Sequence, residues 1–376
     1  MLFLRQISIK PRAIFAAIFF FALTACDNSQ TGASSNSDEP HSYAGETISL
    51  IIGLDASAGG TQVGRLLAKH LEENLEGNPT VIVNNIPGAS GLTAQLQVLL
   101  KAPSDGTTLY YGPRSSLGEL LEFPGYTFEY TDFTPLGGVQ ISGLVIYART
   151  DSINATATNP QDLVGDEPLI FGGMLPEHGR MITSTMAFDL LGVPYQYVAG
   201  YPSSGNVRAA VISGEVNTGT DAAHAYLNQV VPVLVDEGEA IPFFSTPMLN
   251  NAGELIQNDL VPDVPSIHAL YESIHGVAPS GVAWDAIATM IELDQTMQHV
   301  FLGPPDMDPA AAETFRRGLA AAMATASFNE EAVEQLSYAP GFVPHERQTE
   351  ILGATANVPT EILEYIKANI AKNSGY

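Results

Sequence analysis

The 376-residue sequence predicts an α/β fold in which parallel strands are joined by helical crossovers and present their loops along one sheet edge. Three stretches carry that expectation. Residues 48–85 read as strand, small-residue loop, helix and strand. Residues 107–116 read as a strand ending in small and polar residues, and residues 168–191 repeat the strand, loop and helix order.

In the first stretch, Ile48, Ser49, Leu50, Ile51 and Ile52 make a short β-branched apolar run, followed by Asp55, Ala56, Ser57, Ala58, Gly59, Gly60 and Thr61. Val63, Leu66, Leu67, His70 and Leu71 then recur at helical spacing. After the Gly77-Asn78-Pro79 stop, Val81-Ile82-Val83 is a second strand. A helical crossover forces the two strands parallel and puts the loop at their carboxyl edge. Glycine and alanine there let a ligand approach the backbone, and the first N–H groups of the helix carry roughly half a positive charge. Ala56, Ser57, Ala58, Gly59, Gly60 and Thr61 are therefore candidate contacts for an anion, a carboxylate above all.

The chain is long enough for two domains and a sizeable core. Its formal charge of −26, with no basic patch to release counterions, excludes nucleic acid and anionic lipid surfaces as partners. At the N-terminus, Arg5, Lys10 and Arg12 precede an apolar core, residues 13–23, shorter than the roughly 20 residues of a spanning helix, and Leu23-Thr24-Ala25-Cys26 follows. This pattern resembles the lipobox of bacterial lipoprotein signal peptides. The resemblance implies a signal peptide over residues 1–25 and acylation of Cys26, the only cysteine, which would anchor the protein in the periplasm of a Gram-negative bacterium. A buried structural cysteine is the alternative. Removal of residues 1–25 takes the charge to −29, since it deletes Arg5, Lys10 and Arg12 and no acid. Asp27 hints, by the same resemblance, at retention at the inner membrane. Residues 26–45, rich in Ser, Asn and Gly, read as a flexible tether with a reach of about 20–25 Å, so the folded body is expected from Glu46.

Further along, Leu92, Leu96, Leu99 and Leu100 mark a helix, Asp105-Gly106 a turn and residues 107–111 a strand ending in Gly112-Pro113-Arg114-Ser115-Ser116. Ser115 and Ser116 offer hydroxyls beside Arg114. That arginine reads either as a solvated charge or as a bidentate clamp on a carboxylate.

The residues also carry a resemblance. Arg65-Leu66-Leu67-Ala68, GNPTVIVNNIPGASG, APSDGTTLYYGPRSS and Tyr130-Thr131-Asp132-Phe133-Thr134-Pro135-Leu136-Gly137 follow one another, then LLGVPYQYVAGYPSSGNVRAAVISGEVNTGTDA, VPDVPSIHAL and GPPDMDPAAAETFRRGLAAAM. In this order, over residues 46–340, they resemble the solute-binding receptors of tripartite tricarboxylate transporters, the Bug family. The resemblance implies a type II periplasmic-binding-protein-like fold, with two lobes of mixed and parallel sheets and a hinge of two crossing strands. Residues 142–148 and 241–245 suit the crossings, placing residues 46–139 and 243–376 in lobe 1 and residues 140–242 in lobe 2.

By the same resemblance, the loop with Glu177, His178, Gly179 and Arg180 faces residues 57–61 across a cleft, although the residues alone also fit ordinary loop decoration. A strand at residues 195–198 leads through a turn at residues 200–206 into a helix at residues 207–213. Tyr201 in that turn either closes over a ligand or packs. Gly214-Glu215-Val216-Asn217, a signature of the family, precedes a strand that brings Asp221 to the lobe interface. There Asp221 either accepts from a ligand or caps the next helix. One departure is visible: many family members carry an aspartate shortly after the first glycine pair, where this chain has Thr61-Gln62-Val63.

Residues 294–301, 309–324 and 360–371 are helical by periodicity, whereas residues 246–260 and 277–284 give no clear reading. No HExxH, GxSxG, P-loop, GxGxxG or CxxC motif occurs, and the eight histidines lack ligand spacing, so no metal, cofactor or catalytic residue is expected. The resemblance implies a monomeric receptor that captures a small di- or tricarboxylate and hands it to membrane permease subunits. A ligand-sensing lipoprotein signalling to a membrane kinase, and an enzyme on the same fold, are the alternatives.

Overall fold

β1 (Thr47–Ile52), α1 (Gly59–Asn74) and β2 (Thr80–Asn85) form the expected unit, and β1 pairs in parallel with β2 on one side and with β3 (Thr108–Pro113) on the other. The computed structural model describes residues 41–56, 58–153 and 168–375. The signal-peptide reading, Cys26, most of the tether and Ser57 lie outside the described residues. α2 (Leu92–Lys101) connects β2 to β3, and α3 (Ser116–Leu120) follows. The first sheet is completed by β4 (Thr134–Gln140), β12 (His299–Gly303) and β13 (Gly341–Val343), in the order β13-β4-β12-β3-β1-β2. β12 runs antiparallel to both β3 and β4, so the sheet is mixed.

The second sheet holds β5 (Leu144–Arg149), β6 (Leu169–Gly172), β7 (Tyr195–Val198), β8 (Thr218–Ala222) and β9 (Ala240–Ser245), in the order β7-β6-β8-β5-β9. α4 (Gly179–Leu191) and α5 (Ser204–Ser213) provide its crossovers, and a short turn, α6 (Ala223–Ala225), opens into a π-helix, Tyr226–Val235. β5 shows why this strand reads as a continuous apolar run. Leu144 and Ile146 enter one core with Phe171 and Phe188, while Val145 and Tyr147 enter another with Val211 and Tyr226. Successive side chains alternate between two covered faces, which favours apolar residues at every position, and the one hydroxyl, on Tyr147, is paired with Asp221.

The first sheet is covered in the same way. Leu50, Leu67, Phe301 and Phe315 pack on one face, where α9 (Pro309–Ala324) and α10 (Ala326–Leu336) join α1. Ile51, Tyr110, Leu302 and Ile351 pack on the other, with α11 (His345–Thr355) crossing β4.

Three expectations are corrected, and one stretch without a reading is filled in. Residues 294–301 are not a helix: a π-helical turn, Ile291–Gln295, ends there and β12 begins. The body also starts before Glu46. Tyr43 is fully buried and donates to the Ala311 carbonyl at 3.2 Å, so the end of the tether is part of the first core. Thirdly, residues 243–376 do not all pack with the first sheet. α7 (Ile267–His275), α8 (Val282–Met290) and α12 (Thr360–Asn373) contribute Ile267, Ile287, Ile362 and Ile366 to the core beneath the second. Finally, residues 246–260, unreadable in sequence, hold a small antiparallel pair, β10 (Met248–Leu249) and β11 (Leu255–Ile256).

Candidate functional site

Between the two sheets lies a cleft of about 820 Å³. From the first lobe Leu54, Leu92, Pro113, Arg114, Ser115, Leu117, Phe123 and Tyr126 line it. The second lobe contributes Leu144, Met174, Leu175, Glu177, His178, Gly179, Arg180, Gly200, Tyr201 and Pro202. Asp294, Gln295, Gln298 and His299 line it from the chain returning to the first sheet.

The opening loop is organised differently from the sequence expectation. Gly59, Gly60 and Thr61 belong to the first turn of α1, and neither Ala56 nor Ala58 lines the cleft. Thr61 is fully buried and donates its hydroxyl to the Asp55 carbonyl at 2.7 Å, while Arg65 donates to the Ala56 carbonyl at 2.8 Å. The loop is thus tied to its own helix. Gly60 is needed for space: a Cβ there would lie 2.3 Å from His299 Cε1 and 2.5 Å from Leu54 Cδ1. The helix start therefore backs the cleft through Leu54 and His299, two lining residues, and the missing side chain serves packing.

Arg114 is neither a solvated charge nor an open fork. It is 7% exposed, and it donates to Thr355 Oγ1 at 3.0 Å and to the Leu293 carbonyl, with its guanidinium 5.4 Å from the centre of the Tyr130 ring. Burial lowers its pKa, an effect that Tyr130 and then Asp294 oppose. It closes the back of the cleft, joining the first lobe to the stretch before β12. Ser115 lines the cleft and caps α3, its hydroxyl accepting from the Gly118 N–H at 3.0 Å. Ser116 is fully buried and donates to Asp294 Oδ1 at 2.6 Å. Burial raises the Asp294 carboxyl above the usual range, and the Ser116 hydrogen bond and Arg114 draw it back.

Of the four residues read as a loop facing the cleft, all line it, but Gly179 and Arg180 already form the first turn of α4, with His178 as its cap. Arg180 reaches across to α5 and donates to Ser204 Oγ at 2.7 Å. Burial lowers its pKa while Asp221 raises it. Tyr201 packs against the core of the second sheet. Its ring lines the cleft, and its hydroxyl donates to Glu215 Oε1 at 2.8 Å, in the Gly-Glu-Val-Asn segment. Asp221 neither caps a helix nor lines the cleft. It is 1% exposed and accepts from Arg208 Nη1 at 2.9 Å and the Tyr147 hydroxyl at 3.1 Å, an internal ion pair standing behind Arg180.

Asp294, Gln295, Gln298 and His299 escaped the sequence reading because their segment was taken for a helix. A buried strand such as β12 offers no alternation, and the only available signal was a polar cluster running into Val300, Phe301 and Leu302. The His299 imidazole, 8% exposed, shares a 2.9 Å hydrogen bond with the Tyr111 hydroxyl, and burial lowers its pKa to about 4. Between pH 6.5 and 4 the unfolded chain binds a proton at this residue that the native state does not, so its contribution to stability falls as pH is lowered through that window. His299→Gln should therefore lose less stability than the wild type between pH 7 and pH 4.5 in urea unfolding. Parallel losses would remove this residue as the cause.

Among the described residues no cluster of His, Cys, Asp or Glu could hold a metal ion, and no helix is long and apolar enough to cross a membrane. No family model and no curated protein matches the chain in sequence. Solved structures do match in fold. A TctC solute-binding protein from Polaromonas aligns with a TM-score of 0.62 at 15% identity, covering 88% of this chain and 100% of that one. The periplasmic binding protein BugD aligns at 0.55 and 19% identity, covering 88% and 97%. The R. palustris protein Rpa4515 with adipate aligns at 0.56 and 18% identity, covering 88% and 97%. The two mixed sheets and the cleft between them are therefore the type II periplasmic-binding-protein-like fold that the sequence motifs led us to expect, in the form shared by the TctC and BugD solute-binding proteins.

Proposed function

We propose that the protein is a solute receptor that captures a small organic acid between its lobes, without transforming it, and delivers it to a tripartite-type membrane permease. The observation that carries this reading is the interlobe cleft itself. It is about 820 Å³, within the range of small-molecule sites, with Arg180 on one wall and a largely apolar remainder. Arg180 sits in the first turn of α4 and reaches the first residue of α5, so a carboxylate beside it meets a guanidinium near the N-terminus of α5. A ligand touching both walls favours the closed arrangement, because only that arrangement satisfies both of its ends. The adipate held by the R. palustris protein of the same fold supports an organic acid as cargo. In this reading the contacts are Arg180, Glu177, His178, Gly179, Tyr201 and Ser115, with Arg114 and Ser116 holding the wall behind them. Acylation at Cys26 keeps a monomeric receptor on the periplasmic membrane face, close to its permease at high effective concentration.

A thermal-shift screen of residues 27–376 against organic acids, sugars and amino acids tests the proposal. An organic acid at 100 times its dissociation constant should stabilise the protein by about 2.7 kcal/mol, read as a raised melting temperature. Stabilisation by sugars alone, or by no member of the screen, would overturn it.

A further inference from the structure

We infer that the cleft accepts an acid with one carboxylate and an apolar body, because Asp294 already holds the place where a second carboxylate would sit. The inference rests on the receptor reading above and narrows its ligand class.

The geometry around Asp294 is specific. One carboxylate oxygen accepts from the Ser116 hydroxyl at 2.6 Å, which fixes the group from the first lobe. The other lies where a Cβ on Gly179 would come within 1.7 Å, so the carboxylate is pressed against the first residue of α4 and only glycine leaves room for it. The start of a helix that faces a cleft attracts an anion. Here the chain supplies that anion itself and holds it with a serine.

The remaining charges point the same way. Arg114 is buried and committed to Thr355 and Leu293, so it balances Asp294 from behind the wall. Arg180 donates to Ser204, and the charged groups that act on it are Asp221 and Arg208. Of the two arginines that line the cleft, Arg114 has both Nη atoms engaged by Thr355 and Leu293, which leaves Arg180 to receive a ligand, and Glu177 adds a second acid to the lining. The lining also carries a large apolar share, with Leu92, Leu117, Phe123, Tyr126, Met174 and Leu175. An acid seated on Arg180 lays its body along those side chains. A second carboxylate on the same ligand would meet Asp294 or Glu177 with no free cation to answer it, and like charges brought together across an interface are strongly disfavoured.

The test uses length-matched pairs, hexanoate against adipate and benzoate against terephthalate, titrated calorimetrically into residues 27–376 and into Asp294→Asn. In the wild type the monocarboxylate of each pair should bind about tenfold or more tightly than its dicarboxylate partner. Asp294→Asn should shrink that ratio by a similar factor, through tighter binding of the dicarboxylate. Tighter dicarboxylate binding by the wild type overturns the inference, as does an unchanged ratio in the variant. Should Asp294→Asn fail to fold, the wild-type ratio decides alone. Binding of neither acid class would instead remove the receptor reading, an outcome distinct from binding with the wrong preference.

Discussion

Asp221→Ala should lower the free energy of unfolding by about 3 to 5 kcal/mol, the usual effect of removing one partner from a buried ion pair. Asp221 lies on β8 opposite Val145 of β5, with 1% of its surface exposed, and Arg208 beside it is only 12% exposed. Alanine would leave that guanidinium inside the second lobe with Gln229 as its remaining side-chain partner, and would strip the Tyr147 hydroxyl of its acceptor. Asp221→Asn keeps an acceptor for Tyr147 and should cost less, about 1 to 3 kcal/mol. Urea unfolding of the two variants distinguishes this role from ligand contact. A near-normal stability for the alanine variant, with ligand binding abolished, would return Asp221 to the binding surface.

Arg114→Ala should destabilise the protein by about 3 kcal/mol, because it removes two buried hydrogen bonds made by a charged group and exposes Asp294 to an uncompensated environment. Lysine should rescue little of this. A single ammonium cannot reach Thr355 and the Leu293 carbonyl with the spread of a guanidinium. Had Arg114 been the open clamp on a ligand carboxylate that the sequence allows, the variant would lose affinity at unchanged stability. Melting temperature and ligand affinity measured on the same preparation separate the two roles.

Much of the fold was legible where local chemistry and long-range packing agree. The β1, α1 and β2 unit announces itself through a β-branched run, a helical period and a Gly-Asn-Pro stop, and each signal survives folding unchanged. The same clarity misled at the helix starts. Gly59, Gly60, Gly179 and Arg180 look like loop by composition, yet they are first helical turns, positions that tolerate small residues because their N–H groups need no intrahelical partner. β12 was illegible because the residues that cover its two faces, Leu50 among them on one and Ile51 and Ile351 on the other, are remote in sequence. Asp294, in the turn before that strand, went unseen as well. Arg114, Ser116 and Asp221 were found as residues and misjudged in role, since a buried charge and an exposed one look identical in a string of letters. Arg180, Glu177 and Tyr201 line the cleft.

The path of the chain between the sheets has a mechanical consequence. It passes from β4 into β5, returns from the π-helical turn after α8 into β12, and leaves again from α11 into α12. A body joined to another by three covalent strings stays attached when any one of them is cut, so the placement of the two halves does not depend on a single linker.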